Sequence, residues 1–234
     1  MNDCLVMKQK YSIPKVLYNK WFILLVNTAF FVLMAWLLPI HFEENDDVAM
    51  CMISNGNCSG SPDGHLVFIN ALYGWVIAGL YMLTPSIEWY TLCFCVLHIM
   101  AMTGIVYLIV KERHIQPLIK SLFLALIYIL EIRIILAFQF TTTAGLLCFS
   151  GCLSLFQPSK RWRVIGTAAI FIASLIRFHA AGLVGLVCLP LFLMEFVKDK
   201  HYILWVISVV GLVLFGKAAD SLFYRSEAWA SYKV

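Results

Sequence analysis

Few residues of this chain have types and spacing that could do chemistry. Two adjacent carboxylates, Asp46 and Asp47, follow the first long apolar run. A carboxylate held beside an acceptor hydroxyl can take its proton as a general base. Glu131 and Arg133 stand in a later apolar run, and Arg177 and His179 in another. Guanidinium groups bind phosphate through charge-assisted hydrogen bonds, which count most where charge grows on a leaving group. Ionisable groups inside apolar segments are costly, so each is a candidate for function. Each also has a plainer reading. Asp46 and Asp47 serve equally as solvated loop charges. Glu131 and Arg133 are two apart on a helix and do not face each other, so each needs another partner, for example Glu131 with Arg177 in a structural ion pair. His179 reads as a helix-end residue, and His98 as a packed, hydrogen-bonded histidine rather than a proton carrier.

Other chemistry is not indicated. The chain has no P-loop, GxSxG, HExxH or dinucleotide fingerprint, so ATP hydrolysis is not expected of it. His41 and His65 flank an acidic loop, but no Cys/His spacing suits zinc and no compact ligand set marks a metal site. No metal ligands are assigned, and a requirement for a divalent cation stays open. Most of the eight cysteines lie within apolar runs and read as small core residues. Cys51 and Cys58 share a polar loop, and a disulfide between them is left open. Asn57-Cys58-Ser59 matches the short glycosylation sequon.

The elements that must position these groups are membrane helices. Of 234 residues, 62% are hydrophobic and 13% charged, and the mean hydropathy is +0.87. A water-soluble fold, about a quarter charged, does not carry this much apolar surface. The net charge of +4 resides in short clusters between apolar runs, as in membrane loops, so no nucleic-acid partner is implied. The lipid bilayer is the expected environment.

A bilayer core of about 30 Å takes about 20 helical residues. Segments 21–40, 87–110, 117–140, 141–156 and 202–219 read as spans. Segment 164–197 would make one helix of about 51 Å, too long for one crossing, so it is read as two helices turning near residues 177–182. The first run lacks a signal-peptide cleavage site and reads as a retained anchor. Residues 66–83 are apolar but rich in Tyr, Trp and Gly, which suits a helix on the membrane surface, with a re-entrant or full span as the alternative. With that helix in the outer interface, the basic clusters before residue 21 and at 111–120, 160–163 and 198–200 all fall on the cytoplasmic side. The expectation is an all-α, polytopic transmembrane bundle of about seven spans, N-terminus cytoplasmic. It forms a single domain, 1–234, with an outer loop at 41–86 holding an interfacial helix. Asp46, Asp47, Glu131, Arg133, Arg177 and His179 would then share one outer, polar cleft.

The first span runs into His41-Phe42-Glu43-Glu44-Asn45-Asp46-Asp47, and a polar loop leads to Pro62-Asp63-Gly64-His65-Leu66-Val67-Phe68-Ile69-Asn70-Ala71-Leu72-Tyr73-Gly74. This order resembles the GT-C superfamily of membrane glycosyltransferases, especially bacterial members associated with surface polysaccharides. Segments 138–144 and 176–180 look like the same group. The resemblance implies a bacterial inner-membrane enzyme that takes a sugar from a polyprenyl-phosphate donor at the extracytoplasmic face and passes it to a sugar or lipid-linked acceptor. Asp46 or Asp47 matches the acidic motif of the first outer loop and would be the general base. Arg133, Arg177, His179 and Glu131 are donor-binding candidates from the topology, not from a motif. Superfamily members are usually longer, so the chain reads as a truncated or small member, with 220–234 as the start of an outer segment. Two other classes are kept open: a transporter or flippase for a lipid-linked substrate, and a non-catalytic subunit of a polysaccharide-assembly complex.

Overall fold

A computed structural model describes residues 18–43, 45–112 and 114–226. The lysines before residue 18, Glu44, Arg113 and the tail from 227 lie outside the described residues. Nine α-helices form among the described residues: α1 (Lys20–Leu37), α2 (Asn45–Ser54), α3 (Ala71–Leu83), α4 (Trp89–Lys111), α5 (Pro117–Leu136), α6 (Phe140–Leu155), α7 (Lys160–Ile176), α8 (Phe178–Lys198) and α9 (Ile203–Phe223). The all-α expectation holds. Its one extended feature is a parallel bridge of strands β1 (His41–Phe42) and β2 (Ala137–Phe138), with His41 opposite Ala137 and Phe42 opposite Phe138.

Among the described residues, four helices are long and apolar enough to cross a membrane: α1, α4, α8, and α9 together with the short turn before it. The expected count of about seven is not reached. Helix α5 carries Lys120, Glu131 and Arg133, and α6 and α7 have 16 and 17 residues, short of a crossing at about 1.5 Å per residue.

Local sequence sets the boundaries. Asn19 caps α1, its side chain accepting from the Trp21 amide at 2.9 Å. That helix stops at Leu37 rather than the expected residue 40, because Pro39 drives Leu38 into an extended conformation. Pro117 opens α5, where its missing N–H costs nothing. The break between α7 and α8 takes one extended residue, Arg177, rather than a turn over 177–182. Helix α9 continues to Phe223, past the expected start of the tail at Asp220. The loop after α1, read as irregular, contains α2, with Asp46 and Asp47 in its first turn, where the helix dipole favours negative charge.

The centre of the bundle is the contact of α6 with α7. A Cβ placed on Gly166 would lie 2.6 Å from the Gly151 carbonyl, and one on Gly151 would lie 2.9 Å from the Gly166 carbonyl. Only glycine lets the two backbones approach this closely. The long helices alternate in direction. One end of the bundle gathers α2, the start of α4, the α5–α6 and α7–α8 junctions and the end of α9. The opposite end gathers the start of α1, the α4–α5 connection and the regions around Arg163 and Asp199.

Helix α3 lies across the first end. Near its start, the Ala71 amide donates to Asp220 Oδ1 at 2.8 Å and the Asn70 amide to the Leu175 carbonyl at 2.8 Å. Near its finish, the Tyr81 hydroxyl donates to Glu88 Oε2 at 3.1 Å and accepts from the Tyr90 amide at 3.1 Å. Both termini of α3 are therefore fixed at the same end. The helix begins at Ala71, not 66, because Asn70 caps it through the Leu72 amide.

Candidate functional site

The expected single cleft is divided into separate places. Asp47 is buried. Its Oδ1 accepts from the Tyr90 hydroxyl at 2.9 Å and from the Phe140 amide at 3.4 Å. The carboxylate thus joins α2 to the first residues of α4 and α6. Asp46, one residue earlier, is half-exposed. The two neighbours differ because successive residues of a helix point about 100° apart, and only one faces the bundle.

Glu131 and Arg133 part in the same way. Glu131 is buried and pairs with His98, Oε1 to Nε2, at 2.6 Å; Arg177 is not its partner. The His98 ring lies between Phe31 and Phe138, centroids 5.7 and 5.5 Å away, with its Nδ1 3.4 Å from Thr143 Oγ1. The plain reading of His98 as a packed, hydrogen-bonded residue describes this geometry. Arg133 is exposed and reaches Glu43 Oε1 at 3.4 Å. Such an exposed pair contributes little to stability, but it lies beside the β1–β2 bridge that fastens the first loop to the α5–α6 junction.

Arg177 and His179 occupy the third place. They line a cavity of about 240 Å³ together with Asn70, Lys217 and Asp220. The Arg177 guanidinium lies 5.2 Å from the Phe68 ring centroid and 5.4 Å from that of Phe140. Among the described residues it forms no ion pair. Lys217 Nζ sits 3.7 Å over the Phe178 ring. Aromatic faces stabilise both cations while leaving their donor hydrogens available. Sequence reasoning missed Lys217, Asp220 and Asn70. The signal was present: Lys217 closes the last apolar run at the end where Arg177 breaks an earlier one. Asn70 fixes this wall by donating from its side chain to the Gly216 carbonyl at 2.9 Å. Val67, on the same wall, has φ +30°, a strained conformation for a β-branched residue.

An apolar groove of about 240 Å³ continues from this cavity. Ser174, Phe178 and Val213 line both. Helices α8 and α9 each lean on α7 and meet at the turn Lys200–Tyr202, which leaves a wedge between them. Gly182 and Gly185 on α8 face open space there, opposite Val206, Val209 and Val210 on α9.

The loop over this end is held by His65, whose Nδ1 lies 2.6 Å from Asp63 and whose Nε2 lies 3.3 Å from the Phe223 carbonyl. Tyr224 packs edge-on against the same ring at 5.1 Å. Burial, then the Asp63 charge, pushes the Tyr224 phenol up to about 12. Cys51 and Cys58 are free thiols, so the disulfide left open by the sequence is not formed. Among the described residues no cluster of His, Cys, Asp or Glu is arranged to hold a metal ion. Comparisons with protein-family models, curated proteins and solved structures return no match to this chain.

Proposed function

We propose that this chain is a polytopic membrane protein that binds a polyprenyl-phosphate-linked sugar and, like the GT-C enzymes it resembles, transfers that sugar to a sugar or lipid-linked acceptor at the extracytoplasmic face of a bacterial inner membrane, in surface-polysaccharide assembly. One observation carries this reading: the apolar groove between α8 and α9 runs into the cavity of Arg177, His179 and Lys217. An isoprenoid chain needs an apolar slot open to lipid, and its phosphate needs cations at the slot's polar end. Arg177 and Lys217 would hold the phosphate and stabilise its charge as the sugar leaves. Asp46, the accessible member of the acidic pair, would act as general base, and Asp47 would position it.

Seven crossings and an interfacial helix belong to this proposal. All seven of α1 and α4–α9 run between the two ends, and α3 lies across one of them. The shorter α6 and α7 sit at the centre of the bundle, where local thinning of the bilayer accommodates a short crossing. Charge supports the orientation. The α3 end gathers Glu43, Asp46, Asp47, Asp63 and Glu88 beside Arg133, Arg177 and Lys217, whereas the other carries the basic clusters with Lys20, Lys111, Lys160, Arg161 and Arg163, so we assign that end to the cytoplasmic side. A transporter would need deep polar groups reachable from both sides. The deep pair here, His98 with Glu131, is sealed by aromatic rings.

The test is binding of polyprenyl phosphate and of the corresponding polyprenol to the protein in nanodiscs, followed by a transfer assay. The proposal expects the phosphate to bind more tightly than the alcohol, and Arg177→Gln to weaken phosphate binding by at least about tenfold, as for loss of a charged hydrogen bond. It expects Asp46→Asn to bind normally but transfer no sugar. Equal binding of alcohol and phosphate would refute the donor site. Transfer retained in both Asp46→Asn and Asp47→Asn would remove the carboxylate role.

A further inference from the structure

The opposite end of the bundle holds a second groove and a second set of cations. An apolar groove of about 330 Å³ runs between α1 and α5 over α4, walled by Ile23, Val26, Val106, Leu124 and Tyr128. It opens into a wide cavity of about 880 Å³ bordered by Lys111, Glu112, His114 and Gln157. Pro117 and Lys120 line both, so Lys120 stands where apolar and polar walls meet.

Lys120 is an unusual residue for that place. It is only 7% exposed, and among the described residues its ammonium makes one hydrogen bond, to the Val110 carbonyl at 2.9 Å, and no ion pair. A buried cation held by one carbonyl and no ion pair is costly, and an anion arriving between it and Lys111 would offset that cost, with Glu112 on the same wall setting a preference for a site close to the two lysines. Lys111, at the cavity's rim, is held 5.8 Å from the ring centroids of Tyr107 and Trp162, which are stacked on each other. The two lysines thus flank one opening from α4 and α5. The groove's apolar walls exclude a free inorganic anion as the full occupant, and its polar mouth excludes a neutral hydrocarbon.

We propose that this site binds an anionic phospholipid of the leaflet at that end, with one acyl chain along the α1–α5 groove and the headgroup phosphate between Lys111 and Lys120. Basic pockets between membrane helices are suited to such headgroups. The site lies at the opposite end from the sugar-transfer cavity and does not depend on that function.

The experiment is native mass spectrometry of the full chain released from nanodiscs of phosphatidylcholine and phosphatidylglycerol in equal parts. The wild type should retain phosphatidylglycerol in preference to phosphatidylcholine. Lys111→Gln, at the exposed rim, should lower that preference about fivefold, the effect of roughly one lysine near a lipid phosphate. Lys120→Gln should lower it at least as much. If Lys120→Gln fails to fold, Lys111→Gln still decides. Lys200→Gln, at the same end but outside the cavity, should leave the preference unchanged. Equal retention of both lipids by the wild type would overturn the proposal. So would a Lys111→Gln protein as selective as the wild type, or displacement of the retained lipid by millimolar inorganic phosphate, which would mark a free-anion site.

Discussion

The interior of the α1, α4 and α5 side and the α3 end of the α7, α8 and α9 side treat polar groups in opposite ways. In that interior, away from Lys120 at the far end, they pair with one another. His98 pairs with Glu131, while Asn27 donates to Thr103 at 3.2 Å and accepts from Tyr128 at 2.7 Å. At the α3 end of the α7, α8 and α9 side, Arg177 and Lys217 face a cavity that Asp220 also lines, and both rest on aromatic rings. Matched groups inside an apolar bundle act as glue between helices. Cations that rest on aromatic rings beside an open groove, with Asp220 on the same cavity wall, leave donor hydrogens for the ligand proposed above. The contrast separates the charges that build this protein from those available to use.

The largest effect that would break this contrast comes from Glu131. Replacing it alone with Leu leaves the buried His98 without its partner, and we expect a loss of up to about 3 kcal/mol in unfolding of the detergent-solubilised protein. A double change, Glu131→Leu with His98→Phe, should recover most of that loss, because an apolar pair of similar volume needs no partner. If the double variant is as unstable as the single one, the pair is not merely structural.

Next in size is the glycine contact. Gly166→Val places side-chain atoms where the Gly151 carbonyl now sits. It should cost about 1–3 kcal/mol in the same measurement, against less than about 0.5 kcal/mol for Gly145→Ala, which faces open space. Equal effects would show that α6 and α7 do not hold the centre.

The smallest effect is a pH dependence at the loop. The Tyr224 phenol titrates higher in the folded protein, near 12, than its usual value of 10. Its contribution to stability is therefore complete below about pH 10 and is lost as pH rises through about 12. Tyr224→Phe should flatten that loss in an unfolding series from pH 9 to 12.

Much of the fold was legible because membrane helices are written in long apolar runs. The one-sided placement of basic clusters led to residues 66–83 as a surface helix; a helix, α3, does form there with both ends tied to the same end of the bundle, and its place at the membrane surface belongs to the proposal. What composition cannot give is partner choice. Glu131 and Arg133 are two residues apart, yet one meets His98 from α4 and the other Glu43 from the first loop. Those meetings depend on how α5 is rotated and on the β1–β2 bridge, a two-residue feature too short for any pattern to announce. Asp46 and Asp47 look alike in sequence, and only the packing of α2 against Tyr90 and Phe140 tells them apart. The cavity joins residues from 67 to 220, and Lys217 becomes part of it only when α9 folds back beside α7.

On the proposed orientation, the acidic end, with α3 across it and the Arg177 cavity beneath, faces outward as one surface. The most direct measurement is labelling of intact cells by a membrane-impermeant maleimide, in a variant lacking the native cysteines. Single cysteines would be placed at Thr84, at the finish of α3, at His179, on the cavity, and at Glu112, at the opposite end. Labelling is expected at 84 and 179 without permeabilisation and at 112 only after it. Labelling at 112 with protection at 84 would contradict that orientation, because α3 would then cross the membrane and the cavity would no longer share a face with the acidic loop.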